Sequence, residues 1–491
     1  MTDLLQNIQH IYAAARRSED GQRCCVAPAP EIQKRIREDL KKIRAASHSP
    51  MASRLGFRGS QRVGFNDGLI VPGTELPLGA SPSVARSVAL RRAPQKSKIM
   101  RVIVVLVQFS DKPLAPGRKQ YFEDLFFSTG KIATGSVKEY FADVTGKKIK
   151  IAGEVAGPYQ LPRTLAQYAG GGSGIDNPLP NSRTMARDAA LLADPHVAFA
   201  QYDNDGDGFV DAYVIVHAGR GAEETGNPND IWSHKWVLSG GALAVDGSQV
   251  FGYLTVPEDA KLGVCAHELG HLLFGFPDLY DIDGDAEGVG NWCLMGGGSW
   301  NGGGHTPAHP SAWCKSKQNW AVVNNVTTNA RRTIRNVQTS RKVWRLWNNG
   351  ANSQEYFLAE YRPQTGYDKH LPGPGLLVWH IDDSIDDNSN QAHPKVALLQ
   401  ADGLKHLESA TNRGDTGDPF PGSAGKLDLT AASTPNTLSY GGLDSHVSVT
   451  GMVAVANGIR AMIKVKAASP SPAKPAAKKK PTAKKAKKRK T

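Results

Sequence analysis

His267-Glu268-Leu269-Gly270-His271 lies inside an otherwise apolar stretch, and its spacing predicts a helix over 261–274 that Gly275 ends. Residues four apart on an α-helix sit one turn up the same side, so the two imidazoles project together. Two imidazoles so placed can hold one zinc ion at about 2.0–2.1 Å. Glu268 stands beside them, positioned to accept a proton from a water that the metal activates. Only three positions carry this pattern, and a chance pair of helix histidines satisfies it too. A catalytic zinc also needs a third protein ligand and one open position. The run Gly275-Phe276-Pro277-Asp278-Leu279-Tyr280-Asp281 turns the chain and supplies carboxylates. Asp278 is the expected third ligand and Asp281 the runner-up, with Asp285 and Glu287 further out.

The chain has 491 residues, enough for two or three folded units. Its 51 glycines and 30 prolines imply many turns and a partly β architecture. The net charge of +13 suggests a nucleic-acid binder, but ten Lys and Arg fall between residues 467 and 491 with no acid. Subtracting those ten leaves +3 for everything else, so the basicity is an appendage. The apolar run 102–107 falls well short of the roughly 20 residues that cross a bilayer. No Walker loop, dinucleotide fingerprint or nucleophile elbow occurs. Five cysteines, an odd number with two of them adjacent (Cys24, Cys25), are not the count of a disulfide framework. Cys265, Cys293 and Cys314 read as small buried hydrophobes. The first residues have neither a basic nor an apolar leader region, and the compartment stays open.

Four segments are expected. Residues 1–98 carry two amphipathic helical patterns, around 4–12 and 32–43, and form either a prosegment or an N-terminal subdomain. Residues 99–325 alternate strands (102–109, 148–155, 212–216) with helices (136–144, 182–192, 261–274), an α+β layer arrangement. Residues 326–466 hold short strand-like runs separated by turns, which favours a β-sandwich-like domain. Residues 467–491 bury almost nothing and are expected to be a disordered tail. That tail is a possible polyanion-binding segment, or a solubilising one.

Asp203-Asn204-Asp205-Gly206-Asp207-Gly208-Phe209-Val210-Asp211 puts side-chain oxygens at alternate positions, with Gly208 at the sharp turn and the Phe209 carbonyl following. Such hard oxygen donors suit calcium. The twelfth position is Val214 rather than a glutamate, so Glu223 or Glu224 is a candidate to complete the site. Asp415 and Asp418 are either a second ion site or a solvated loop.

Together, Ala266-His267-Glu268-Leu269-Gly270-His271, Pro277-Asp278-Leu279-Tyr280-Asp281 and Leu294-Met295-Gly296-Gly297-Gly298-Ser299-Trp300 resemble the immune inhibitor A-like, metzincin-like metallopeptidases. Ile231-Trp232-Ser233-His234, Glu355-Tyr356-Phe357-Leu358-Ala359-Glu360 and Gly375-Leu376-Leu377-Val378-Trp379-His380 agree with the resemblance, which spans roughly residues 100–465. It implies a secreted-type zinc endopeptidase followed by a β domain, acting on protein or peptide substrates with Glu268 as general base. Met295 would be the Met-turn under the zinc, although without the upstream motif it reads as an ordinary core methionine. In the family the glycine comes three residues after the second histidine and the aspartate ligand three later. Here Gly275 and Asp278 come four and seven residues after His271, one residue too many. His305 and His309 read as structural or as cleft wall. The rival function is a non-catalytic polyanion- or envelope-binding protein working through its tail. The presence of Glu268, which a scaffold has no need of, argues against it.

Overall fold

The computed structural model describes residues 24–45 and 99–466, apart from 177, 205–207, 283 and 386. The predicted helix near residues 4–12, the basic tail, and Asp205 and Asp207 of the acidic loop lie outside the described residues.

The chain enters as a two-residue strand β1 (Cys24–Cys25) and a helix α1 (Pro30–Ala45). Proline at the first helical position costs no hydrogen bond, and Glu31 favours the same end of the dipole. Next comes β2 (Ile99–Gln108), whose side chains alternate between two cores. Val102, Val104 and Leu106 enter one, while Ile103, Val105 and Val107 enter the other. A strand covered on both faces has no polar side to present, which is why this run is uniformly apolar. Helices α2 (Arg118–Phe127) and α3 (Val137–Val144) follow. At α3 the Ser136 side chain accepts the Glu139 N–H, and the Glu139 carboxylate accepts the Ser136 N–H, a reciprocal capping box.

Then come β3 (Lys150–Gln160), α4 (Ser182–Ala193), β4 (Tyr213–His217), β5 (His234–Val237), β6 (Gly252–Pro257) and α5 (Leu262–Phe274). The sheet order is β1-β5-β6-β4-β2-β3. Strands β2, β3, β4 and β6 run parallel, β5 is antiparallel to β6, and β1 is antiparallel to β5. Mixed strands and helices give the α+β class expected.

Beyond residue 321 the described residues are mainly β. Strands β7 (Val322–Asn325), β8 (Ala330–Arg335), β9 (Lys342–Leu346), β10 (Glu355–Arg362), β11 (Gly375–Asp382), β12 (Val396–Leu398), β13 (Ser448–Val455) and β14 (Gly458–Lys464) build two sheets. One has the order β12-β11-β10-β9-β7 and the other β8-β14-β13. Phe357 and Val378 of the first share a core with Ile334, Ile459 and Ile463 of the second. The opposite face of the five-stranded sheet, with Leu358, Trp379 and Ile381, packs into the same core as Val104, Leu269 and Met295. The change in sequence character near residue 325 is therefore not a break in packing. No helix among the described residues is long and apolar enough to cross a membrane.

Candidate metal centre

All thirteen residues of α5 are buried, which is why its sequence is apolar nearly all round. Gly263 and Gly270 let the segment after residue 292 approach closely. A Cβ on Gly263 would stand 1.9 Å from the Ser299 carbonyl oxygen, and one on Gly270 would stand 2.8 Å from Met295 Sδ. Fully buried Met295 thus underlies the turn that carries the histidines.

Gly275 caps the helix in the left-handed region at φ 60°, a conformation glycine reaches without steric cost. The chain then doubles back. Phe276 presents its carbonyl to His271 Nδ1 at 2.5 Å, and Leu294 presents its own to His267 Nδ1 at 2.9 Å. Each imidazole donates that proton to a backbone oxygen, which leaves both Nε2 atoms as lone-pair donors. The two Nε2 atoms are 2.9 Å apart. Asp278 Oδ1 lies 3.2 Å from the His267 Nε2 and 3.1 Å from the His271 Nε2. Tetrahedral ligands at 2.0–2.1 Å from zinc stand about 3.3 Å from one another, so these three atoms have the spacing of one face of such a site. Phe274 is the last residue of the helix and packs on Phe141 and Trp320.

The other carboxylates are engaged elsewhere. Asp281 accepts the Ala286 N–H at 2.6 Å, Asp285 the Gln391 amide at 3.0 Å, and Glu287 pairs with Arg37 on α1. Burial raises Asp278, but His271 and His267 outweigh it and bring the carboxyl down to about 2. Burial lowers His271, favouring the neutral form a metal requires. Burial, then the nearby Asp278 and Glu223, push Glu268 well above the ordinary carboxylate range, against the Val26 backbone N–H and the charge of Lys235. Both Glu268 oxygens are buried without a hydrogen-bond partner among the described residues. Such a group is costly in an apolar core unless a cation or reacting water stands in front of it. The donor set and this orphaned carboxylate fit a zinc ion.

His309 is buried 3.4 Å from Asp143, and His305 is exposed near Lys261. In the acidic loop Asp203 accepts the Gly208 N–H at 2.9 Å and Asp211 accepts the Asn204 N–H. Gly208 has φ 92°, and Phe209 bridges Gln249. Glu223 and Glu224 do not complete this loop. They follow the far end of β4, where Glu223 binds the Ser233 hydroxyl and backbone and Glu224 faces Lys261 and Arg220. The ligand atoms of Asp402, His406 and Asp415 come within 4.8 Å of one another, while Asp418 accepts the Trp292 indole N–H at 2.9 Å.

Sequence reasoning missed the device that braces this floor. Arg362 on β10, fully buried, donates to the Trp292 carbonyl at 2.6 Å and the His309 carbonyl at 3.2 Å, and it pairs with Asp368. Lys315 pairs with Glu360 at 2.7 Å beside it. The available signal was Glu360 and Arg362 two apart on a strand, hence on one face with apolar Leu358.

Residues 92–327 match the immune inhibitor A peptidase M6 catalytic domain. Over 405 residues, 70% of this chain, the sequence is 26% identical to the pre-pro-metalloprotease PrtV of Vibrio cholerae serotype O1, covering 43% of that protein. Over 267 residues, 45% of this chain, it is 30% identical to immune inhibitor A of Bacillus thuringiensis subsp. alesti, covering 39% of it. The chain thus spans less than half the length of the curated relatives it matches.

Proposed function

Starting from a segment, residues 92–327, that matches the immune inhibitor A peptidase M6 catalytic domain, we propose that this chain is a zinc-dependent endopeptidase acting on proteins. The observation that carries the reading is the convergence of His267 Nε2, His271 Nε2 and Asp278 Oδ1 beside an unpartnered Glu268. A zinc ion bound there supplies Lewis acidity, polarising the scissile carbonyl and making water a better nucleophile at neutral pH. Glu268 takes the proton of the attacking water, its raised proton affinity suiting it to that task. It then delivers the proton to the leaving amine. The Leu294 and Phe276 carbonyls keep the imidazoles in the ligating tautomer, and Met295 fixes the helix turn from below, as in metzincins.

Asp278→Ala should weaken zinc binding by more than about 100-fold, above the range for losing a ligand's hydrogen-bond partner, and abolish casein cleavage. Asp281→Ala should keep the zinc. Equilibrium competition with a zinc chelator reads both, and equal zinc affinity in Asp278→Ala and the wild type would remove Asp278 from the ligand set.

Residues 203–211 are the proposed calcium loop, supported by their oxygen spacing and the positive φ at Gly208. Calcium at 100 times its Kd should stabilise chelator-treated protein by about 2.7 kcal/mol, raising its Tm, with Asp211→Asn unresponsive. A Tm that calcium leaves unmoved contradicts the site.

A further inference from the structure

We infer that Cys24 is a fourth zinc ligand and that residues 24–29 lie in the substrate's place, with residues 24–25 paired antiparallel on β5. The inference rests on the zinc reading above. The Cys24 Sγ and the ligand atoms of His271 and Asp278 lie within 4.8 Å of one another. Cys24 pairs with Lys235 and Cys25 with His234, so β1 extends the sheet past β5 at the edge beside the metal-binding helix.

The segment is held through its backbone. Tyr280 donates its hydroxyl to the Cys25 carbonyl, the Trp232 indole to the Val26 carbonyl and the Trp300 indole to the Ala27 carbonyl, each at 2.9 Å. Val26 donates its own N–H to the Ser233 carbonyl at 3.2 Å. Contacts to peptide groups read any sequence, and adding a strand to a sheet edge is a general way to bind an extended peptide. The same donors would bind a substrate backbone. What distinguishes this segment from a substrate is the thiol: zinc accepts Cys sulfur readily, and the sulfur fills the position that the attacking water needs. Binding releases the thiol proton, and withdrawal of the strand lets the sulfur regain a proton as water takes its place. Helix α1 secures the far end, where Gln33 donates to Glu287 at 3.1 Å and Arg37 pairs with the same carboxylate. The arrangement makes the full chain a self-inhibited form, released when residues around 24–37 are cut or displaced.

The test replaces zinc with cobalt(II) in the full chain and records its absorption. Cobalt held by Cys24 should show a near-ultraviolet thiolate-to-metal charge-transfer band alongside the visible d–d bands. Cys24→Ser should lose the charge-transfer band and keep the d–d bands, Cys25→Ser should keep both, and peptide cleavage should rise at least about tenfold in Cys24→Ser, the factor for a cleft open a tenth of the time. Wild-type protein with d–d bands but no charge-transfer band would overturn the inference while leaving the metal site standing. A chain that binds no cobalt at all would instead remove the zinc reading beneath it.

Discussion

Glu268→Ala is expected to lower kcat/KM on a peptide by roughly 10²–10⁴-fold and to leave zinc bound. The side chain touches neither imidazole's ligating tautomer, because those protons go to Leu294 and Phe276 carbonyls. Removing it takes away the proton acceptor and leaves all three ligand atoms. At 1.36 kcal/mol per decade the loss amounts to about 3–5 kcal/mol of transition-state stabilisation. The variant should even fold slightly better, since it deletes a buried carboxylate without a hydrogen-bond partner. Elemental analysis and steady-state kinetics under the same activating conditions separate the two effects. A variant that keeps most of its activity would end the general-base assignment, and one that loses its zinc would make Glu268 part of the metal's coordination instead.

The second large effect concerns the brace. Arg362→Met should cost about 3–5 kcal/mol in urea unfolding, the usual penalty for breaking a buried pair from one side. It strands Asp368, which the guanidinium otherwise holds far below the ordinary carboxylate range against the cost of burial. It also leaves the Trp292 carbonyl without its donor and takes one of two donors from the His309 carbonyl, which keeps the Leu294 N–H. Arg362→Met combined with Asp368→Leu should cost less than the two single changes added together, because each single change leaves the other charge uncompensated. A single-variant loss under about 1 kcal/mol would place this pair among those of little net worth.

What could be read from the sequence follows how local the physics is. The strand at 102–107 was legible because burial on both faces leaves only apolar residues, and α3 because its capping box spans four positions. His267, Glu268 and His271 were legible because one helix sets their geometry. Asp278 was the preferred third ligand, with Asp281 the runner-up, but its approach to the histidines was not legible. That Asp278, and not Asp281, Asp285 or Glu287, comes beside both imidazoles depends on the left-handed turn at Gly275 and on where the chain goes afterwards. Glu223 and Glu224 were candidates for the wrong site because a strand of five residues carries them away from the acidic loop. The Arg362 brace and the pairing of Cys24 with Lys235 join residues far apart in sequence, and no local periodicity announces such contacts.

The most direct measurement follows zinc content and peptide cleavage together as zinc is added back to chelator-stripped protein. Cleavage should be absent without metal, rise in proportion to bound zinc and level off at one ion per chain, with no recovery in a His267→Ala/His271→Ala variant. Cleavage by zinc-free protein, or stoichiometric zinc that leaves cleavage at zero in both the full chain and Cys24→Ser, would contradict the account.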